Sequence, residues 1–191
     1  MYNNQYFSYP YNMNQYDYFS FNSMWRNAVQ KFASFSGTVT MIEDFYTGQD
    51  DASTGCYKLM SLETVDMGPV NFIISPETYF VNHVMIEVGD KVTGFFDANA
   101  PVPLIYPPQY RAIIIAKNTG SENITVDYFN KQLISSDGNL KLNIAPSTEV
   151  ILTNDQIFNI YPGNRNLIVI YGPTTFSIPA QTTPYKIIVL C

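Results

Sequence analysis

Few residues in this 191-residue chain could carry out acid–base or nucleophilic chemistry, since it contains one histidine and two cysteines. His83 has no second histidine with which to build a metal site or relay a proton. The adjacent acids Glu43 and Asp44 lie on a predicted strand, where neighbouring side chains point to opposite faces. No GxSxG, HExxH, phosphate-loop or GxGxxG pattern occurs. The sequence therefore favours a protein that is not an enzyme and that has no catalytic residues, cofactor or metal.

The two cysteines, Cys56 and Cys191, are far apart and belong to no CxxC or Cys–His pattern with metal-ligand spacing. One interpretation treats them as unrelated thiols that behave as small hydrophobic residues. The other notes that Cys56 follows a polar, Gly- and Asp-containing stretch and that Cys191 is the last residue, so both could be accessible. On that interpretation they are candidates for a cross-link between subunits in an oxidising setting.

The charge of the chain limits its partners. Lys plus Arg total 10 and Asp plus Glu total 16, which gives a net charge of −6 and a pI of about 4.6. This argues against nucleic acid, whose phosphates bind basic surfaces. Charged residues make up 14% of the chain, against roughly 25% in typical domains, so self-association meets little repulsion. No run approaches the roughly 20 apolar residues of a membrane helix, and the start of the chain lacks the pattern of a Sec signal peptide.

Residues 1–22 form an aromatic, polar N-terminal arm with a single charged residue, Asp17. Its richness in Tyr, Asn and Gln is typical of segments that pack against a partner surface or pair with it as a strand. The candidate assembly residues are Tyr2, Tyr6, Phe7, Tyr9, Tyr11, Tyr16, Tyr18, Phe19 and Phe21. Docking of the arm on its own chain, and docking on a neighbouring subunit to which it would donate a strand, both fit this composition.

Residues 23–35 have the spacing of a short amphipathic helix. The apolar residues at helical intervals are Trp25, Ala28, Val29, Phe32 and Phe35. Ser23 can cap the first turn. We expect the aromatic stripe of this helix to pack on the domain that follows.

From Gly37 onward the chain consists of short β-rich runs separated by Gly, Pro, Asn and Asp, which predicts an all-β fold. The dipeptide Asp137-Gly138 predicts a two-residue hairpin turn. The predicted strands are residues 37–45, 57–65, 70–74, 78–81, 91–97, 110–117, 124–130, 132–135, 140–144, 149–152, 166–171 and 185–190.

An internal repeat divides the β region into two units. Residues 74–81 match residues 144–151, and later landmarks recur in the same order: Gly89 with Gly163, Phe95-Phe96 with Ile170-Tyr171, and the ending at residues 110–115 with that at residues 185–190. A match that keeps its order across so many landmarks indicates a duplication. The units are predicted to span residues 36–120 and 121–191.

Each unit has about five predicted strands, with a long proline-rich connection before the last one, at residues 99–109 and 173–184. This strand order resembles the OB-fold, a five-stranded Greek-key barrel. The resemblance implies two tandem five-stranded OB-like barrels. The aliphatic runs 113–115 and 187–190 lack polar alternation, so we expect them to be buried on both faces, within each barrel or between the two.

The first proline-rich connection carries the apolar residues Leu104, Ile105 and Tyr106. Proline restricts the conformations of a loop, and these apolar residues could bury themselves against the second barrel, the arm or another subunit. They are predicted contact residues.

Together these features predict a non-enzymatic structural protein that assembles with copies of itself into a filament or surface layer through its arm. In its Tyr- and Asn-rich composition the arm resembles spore coat and appendage proteins of spore-forming bacteria. The resemblance implies a spore-surface or extracellular location reached without a Sec signal peptide, with the cytoplasm as the alternative. The rival function is an OB-like module that binds a glycan or peptide through its aromatic residues.

Overall fold

The computed structural model describes residues 31–46 and 55–191, and nearly all regular structure in them is β-strand. The predicted all-β class is confirmed. The arm, residues 1–22, and most of the predicted helix lie outside the described residues. The described strands are β1 (Phe32–Asp44), β2 (Lys58–Thr64), β3 (Gly68–Ile74), β4 (Tyr79–Phe80), β5 (Lys91–Asp97), β6 (Gln109–Arg111), β7 (Ile114–Lys117), β8 (Asn123–Phe129), β9 (Leu140–Leu142), β10 (Glu149–Leu152), β11 (Arg165–Tyr171), β12 (Ala180–Thr182) and β13 (Lys186–Leu190).

The predicted helix over residues 23–35 is wrong over residues 32–35, which form a strand. β1 begins at Phe32 and pairs antiparallel with β5. Phe35 stacks on Phe96 with ring centroids 5.5 Å apart, so tertiary pairing overrides the local helical spacing. Within residues 31–46 and 55–191 the helical structure is a 3₁₀ turn at Val81–His83.

The strands form three sheets, of seven, four and two strands. Their orders are β4-β7-β5-β1-β2-β3-β6, then β10-β13-β11-β8, then β12-β9. In each half a later strand pairs parallel with an earlier one, β6 with β3 and β12 with β9. Parallel pairing of this kind is typical of a β-solenoid. The prediction of two five-stranded OB-like barrels is therefore corrected. Each half ends in two short strands, β6 and β7 in the first and β12 and β13 in the second, and the two strands of each half pair with different strands. The sequence predicted a single last strand in each half.

The predicted boundary near residues 118–123 falls between β7 and β8, and the halves on either side repeat one hydrogen-bonded motif. Thr78 Oγ1 accepts from the amide three residues earlier at 2.9 Å and donates to the Ala112 carbonyl at 2.8 Å. Thr148 Oγ1 accepts from the amide three residues earlier at 3.1 Å and donates to the Pro184 carbonyl at 2.9 Å. The two threonines tie equivalent turns to equivalent segments, as a duplication requires.

The endings of the two halves match in a different register from the one read in the sequence. The Ile113 amide donates to the Phe95 carbonyl at 2.8 Å, and the Tyr185 amide donates to the Ile170 carbonyl at 2.9 Å. Ile113 and Tyr185 therefore hold equivalent places, whereas the sequence paired Tyr110 with Tyr185. A run of aliphatic residues looks alike in both alignments, so its pattern alone does not set the register.

Three apolar clusters make a layered core. One lies inside the first half around Phe72 and Ile115, and another inside the second half around Phe129 and Leu167, all four fully buried. The third lies between the halves and contains Val81, Phe95, Ile114 and Ala116 of the first half with Val126, Ile151, Ile168, Ile170 and Ile188 of the second. Residues 187–189 are all buried, alternately in different clusters. The predicted burial is confirmed for residues 187–189 and 114–115, while Leu190 and Ile113 are only partly buried.

The shared cluster joins equivalent faces of the two halves. Phe95 corresponds to Ile170 by hydrogen bonding, and Val81 corresponds to Ile151 at the same offset as the two threonines. All four side chains belong to the shared cluster. Two copies pack through identical faces in a twofold-symmetric dimer, so this chain resembles such a dimer joined into one polypeptide.

The predicted turn at Asp137-Gly138 is present but longer than two residues. The Ser135 amide donates to the Leu140 carbonyl at 2.8 Å, which leaves residues 136–139 in the loop. The Asp137 carboxylate accepts from the Ser135 hydroxyl and from the Asn139 amide. Burial raises the pKa of Asp137. These hydrogen bonds lower it by more than burial raises it, so the pKa lies below its ordinary value.

We expect Ile168→Ala to lower the free energy of unfolding by about 2–5 kcal/mol, because it opens a cavity in the cluster between the halves. Val65→Ala, at a side chain that is 97% exposed, is the control and should change it by less than about 0.5 kcal/mol. Urea unfolding followed by circular dichroism should show one transition that shifts as a whole. Two transitions, of which only one moves, would contradict a shared core.

Asp137→Asn should destabilise the protein at neutral pH and lose that effect in acid. The folded pKa of Asp137 is lowered, so its carboxylate stabilises the fold above the ordinary pKa of about 4. That contribution disappears as the pH falls through the folded pKa. Urea midpoints at pH 7 and below pH 3, compared with those of Asp66→Asn in an exposed turn, measure the effect. A difference that stays constant with pH would count against it.

Candidate functional site

Two equivalent loops present large apolar side chains to solvent. Residues 98–108 connect β5 to β6, and residues 172–179 connect β11 to β12. In the first loop Leu104 is 104% exposed, Tyr106 is 78% exposed and Ile105 is 49% exposed. These three predicted contact residues are therefore on the surface, where another molecule can reach them, and not packed on the second half.

The second loop holds two exposed apolar residues that the sequence analysis did not single out. Phe176 is 107% exposed and Ile178 is 94% exposed. Their loop is closed by the Thr175 amide, which donates to the Gln181 carbonyl at 2.9 Å, and by the Gln181 amide, which donates to Thr175 Oγ1 at 2.9 Å. The internal repeat could have indicated Phe176 and Ile178, because it relates the connection at residues 172–179 to the one that contains Leu104.

A cavity of about 470 Å³ lies at the base of the first loop. Phe96 and Tyr110 form part of its wall, with ring centroids 4.2 Å apart. Phe35 stacks on Phe96 at 5.5 Å and so supports the wall. Two charged residues of opposite sign, Asp97 and Arg111, also line the cavity. The result is a mainly apolar recess with an aromatic wall.

The equivalent place in the second half is polar. A cavity of about 550 Å³ there is lined by Asn143, Gln181, Thr182 and Tyr185, among others. Asn143 Nδ2 donates to Gln181 Oε1 at 3.2 Å. Tyr185 lines this cavity as its counterpart Ile113 lines the other. The duplicated halves have therefore diverged in chemistry at this position.

The N-terminal chain joins the described structure beside the first loop. The Lys31 carbonyl accepts a hydrogen bond from the Ala98 amide at 2.8 Å. Among the described strands, residues 32–36 pair only with β5, because pairing with β2 begins at Gly37 opposite Thr64. In this part of the chain, one edge of the segment therefore has no strand partner. The candidate residues of the arm lie outside the described residues and stay a prediction.

His83 belongs to a polar group between the two halves. Its Nε2 is 3.3 Å from Asp155 Oδ2, with both side chains more than half exposed, and its ring meets Tyr79 edge-on at 5.4 Å. Burial, and then the charge of Asp155, raise the pKa of Tyr79. Lys186 Nζ donates to Asn82 Oδ1 at 3.2 Å. These contacts link the halves and support a structural role for His83.

The remaining candidate residues form no further site with these. Cys56 and Cys191 are both exposed, and a cross-link between subunits stays a prediction. In the described ranges, no three His, Cys, Asp or Glu side chains are grouped so as to hold a metal ion. Nor does this part of the chain contain a helix long and apolar enough to cross a membrane. No protein-family model matches the chain, and no curated protein matches its sequence significantly.

Leu104→Ser and Phe176→Ser should each change the free energy of unfolding by less than about 0.5 kcal/mol, because both side chains are already in water. Phe72→Ala, at a fully buried ring of the first half, should cost about 3–5 kcal/mol. Thermal unfolding at low protein concentration measures all three. A loss above about 1 kcal/mol for either serine variant would mean that the loop tip is packed within the chain.

Proposed function

We propose that this protein is a non-enzymatic structural subunit that binds further copies of itself and builds a filament or surface layer. The observation that carries the proposal is the pair of equivalent loops that hold Leu104, Tyr106, Phe176 and Ile178 in solvent. Full burial of one such side chain contributes roughly 1.5–3 kcal/mol. Neither loop contains a charged residue, so the loops of separate copies can approach without like-charge repulsion.

The arm is the second proposed contact. The chain that carries its aromatic residues continues into residues 32–36, whose second edge no described strand pairs with. Open strand edges accept an additional strand. We therefore propose that the arm of one copy packs on, or donates a strand to, the neighbouring copy. The Tyr- and Asn-rich composition of the arm supports a place on a spore surface or outside the cell.

A ligand-binding module is the second candidate, favoured by a separate cavity of about 430 Å³ on the first half. Ile42, Met60, Phe80 and Met85 line it, together with Lys58. This lining suits the side chains of a peptide better than a glycan, which needs more hydrogen-bonding groups. Binding of a peptide array by the protein in its monomeric state would favour this candidate.

Removing aromatic rings from the arm of the full-length chain should weaken assembly, because it removes the apolar surface that the arm contributes. The test variant combines Tyr16→Ser, Tyr18→Ser, Phe19→Ser and Phe21→Ser. Its matched control combines Asn3→Ser, Asn4→Ser, Asn12→Ser and Asn14→Ser in the same arm. Sedimentation velocity over a range of concentrations measures the size distribution.

The arm variant should shift toward the single chain, while the control should sediment like the wild type. Equal sedimentation of the arm variant and the wild type would remove the arm as a contact. A wild-type protein that stays monomeric at high concentration would overturn the proposed function itself.

A further inference from the structure

An exposed apolar group and an apolar recess that the described residues leave unfilled lie on different halves of this molecule. Phe176 and Ile178 project from the closed tip of the second loop. The recess is the cavity at the base of the first loop, lined in part by Phe96, Val102 and Tyr110. Since the two projecting side chains are almost completely exposed, the chain does not use them to fill its own recess.

The sizes of the two features are compatible. A cavity of about 150 Å³ is enough to hold a benzene molecule, and this one measures about 470 Å³. It can therefore accept the Phe176 ring together with the aliphatic Ile178 side chain. The rings of Phe96 and Tyr110 offer the edge-to-face or offset contacts that aromatic pairs prefer.

The charges are compatible as well and give the contact a direction. The loop at residues 172–179 is uncharged, and the charged residues lining the recess, Asp97 and Arg111, have opposite signs. The equivalent cavity of the second half is polar, so the exposed Leu104 of another copy finds no matching recess there.

We propose that Phe176 and Ile178 of one copy insert into the cavity formed by Phe96, Val102 and Tyr110 of the next copy. This inference rests on the proposed function, in which copies associate. The inserting loop and the cavity lie on different surfaces, so the contact is heterologous. Each bound copy still carries one unused loop or one unused cavity, and heterologous contacts that do not close on themselves build open filaments.

The loop side of the contact is tested by Phe176→Ser combined with Ile178→Ser. This variant should raise the protein concentration at half-assembly at least about tenfold, as loss of a central apolar anchor does. Thr174→Ser, an exposed neighbour in the same loop, is the control and should assemble like the wild type. Light scattering against concentration gives the midpoint.

The cavity side is tested by two independent variants. Ala100→Trp fills the recess with a ring, and Val102→Glu places a carboxylate in it. Ala100 is exposed and Val102 is 38% exposed, so both sites tolerate larger or charged side chains. Each variant should raise the assembly midpoint as far as the loop variant does.

Mixing the loop variant with a cavity variant identifies the contact itself. Both are made in the full-length chain that carries the four arm substitutions, so that the arm adds no second contact. One partner then has an intact cavity and the other an intact loop. Together they should form a one-to-one complex of twice the 21.7 kDa chain mass that grows no further.

The results separate this inference from the proposed function. If the wild type assembles and the loop and cavity variants assemble at the same concentration, the inference is overturned and self-assembly stands. If both variants weaken assembly but their mixture yields no one-to-one complex, the loop and the cavity do not bind each other, and the inference is again overturned. A monomeric wild type overturns both.

Discussion

Burial of the central strands on both faces is the constraint on which the rest of the structure depends. In β11, Leu167 faces the interior of the second half, and the next residue, Ile168, faces the cluster shared with the first half. Both side chains are fully buried. A strand that is apolar on both faces cannot border water, so each half needs the other to cover it.

Because the strand faces are covered in this way, the proposed contacts with other copies use the connections and the edge of residues 32–36 that no described strand pairs with. The halves keep the same turn at Thr78 and Thr148, yet the cavities beside their long loops differ in polarity. The two halves therefore share an interior but present different surfaces, one apolar and one polar, beside their long loops. The proposed heterologous contact, in which a loop of one half enters the cavity of the other half in the next copy, uses that asymmetry.

The sequence predicted the features that depend on local pattern and on repetition. The all-β class followed from short β-rich runs, and the duplication followed from the match of residues 74–81 with residues 144–151. The sequence-based prediction failed where a segment's structure depends on a strand partner that is distant in the chain. Phe32 and Phe35 fit a helical spacing as well as a strand, and only pairing with β5 decides between them. The exposure of Phe176 is likewise set by the path of its loop, which composition does not encode.

In the proposed assembly, copies of this chain bind one another through uncharged apolar loops and an aromatic arm. Negative-stain electron microscopy of the purified full-length protein at high concentration tests it most directly. We expect linear polymers or sheets with a regular repeat. A field of separate single-chain particles that persists as the concentration rises would contradict it.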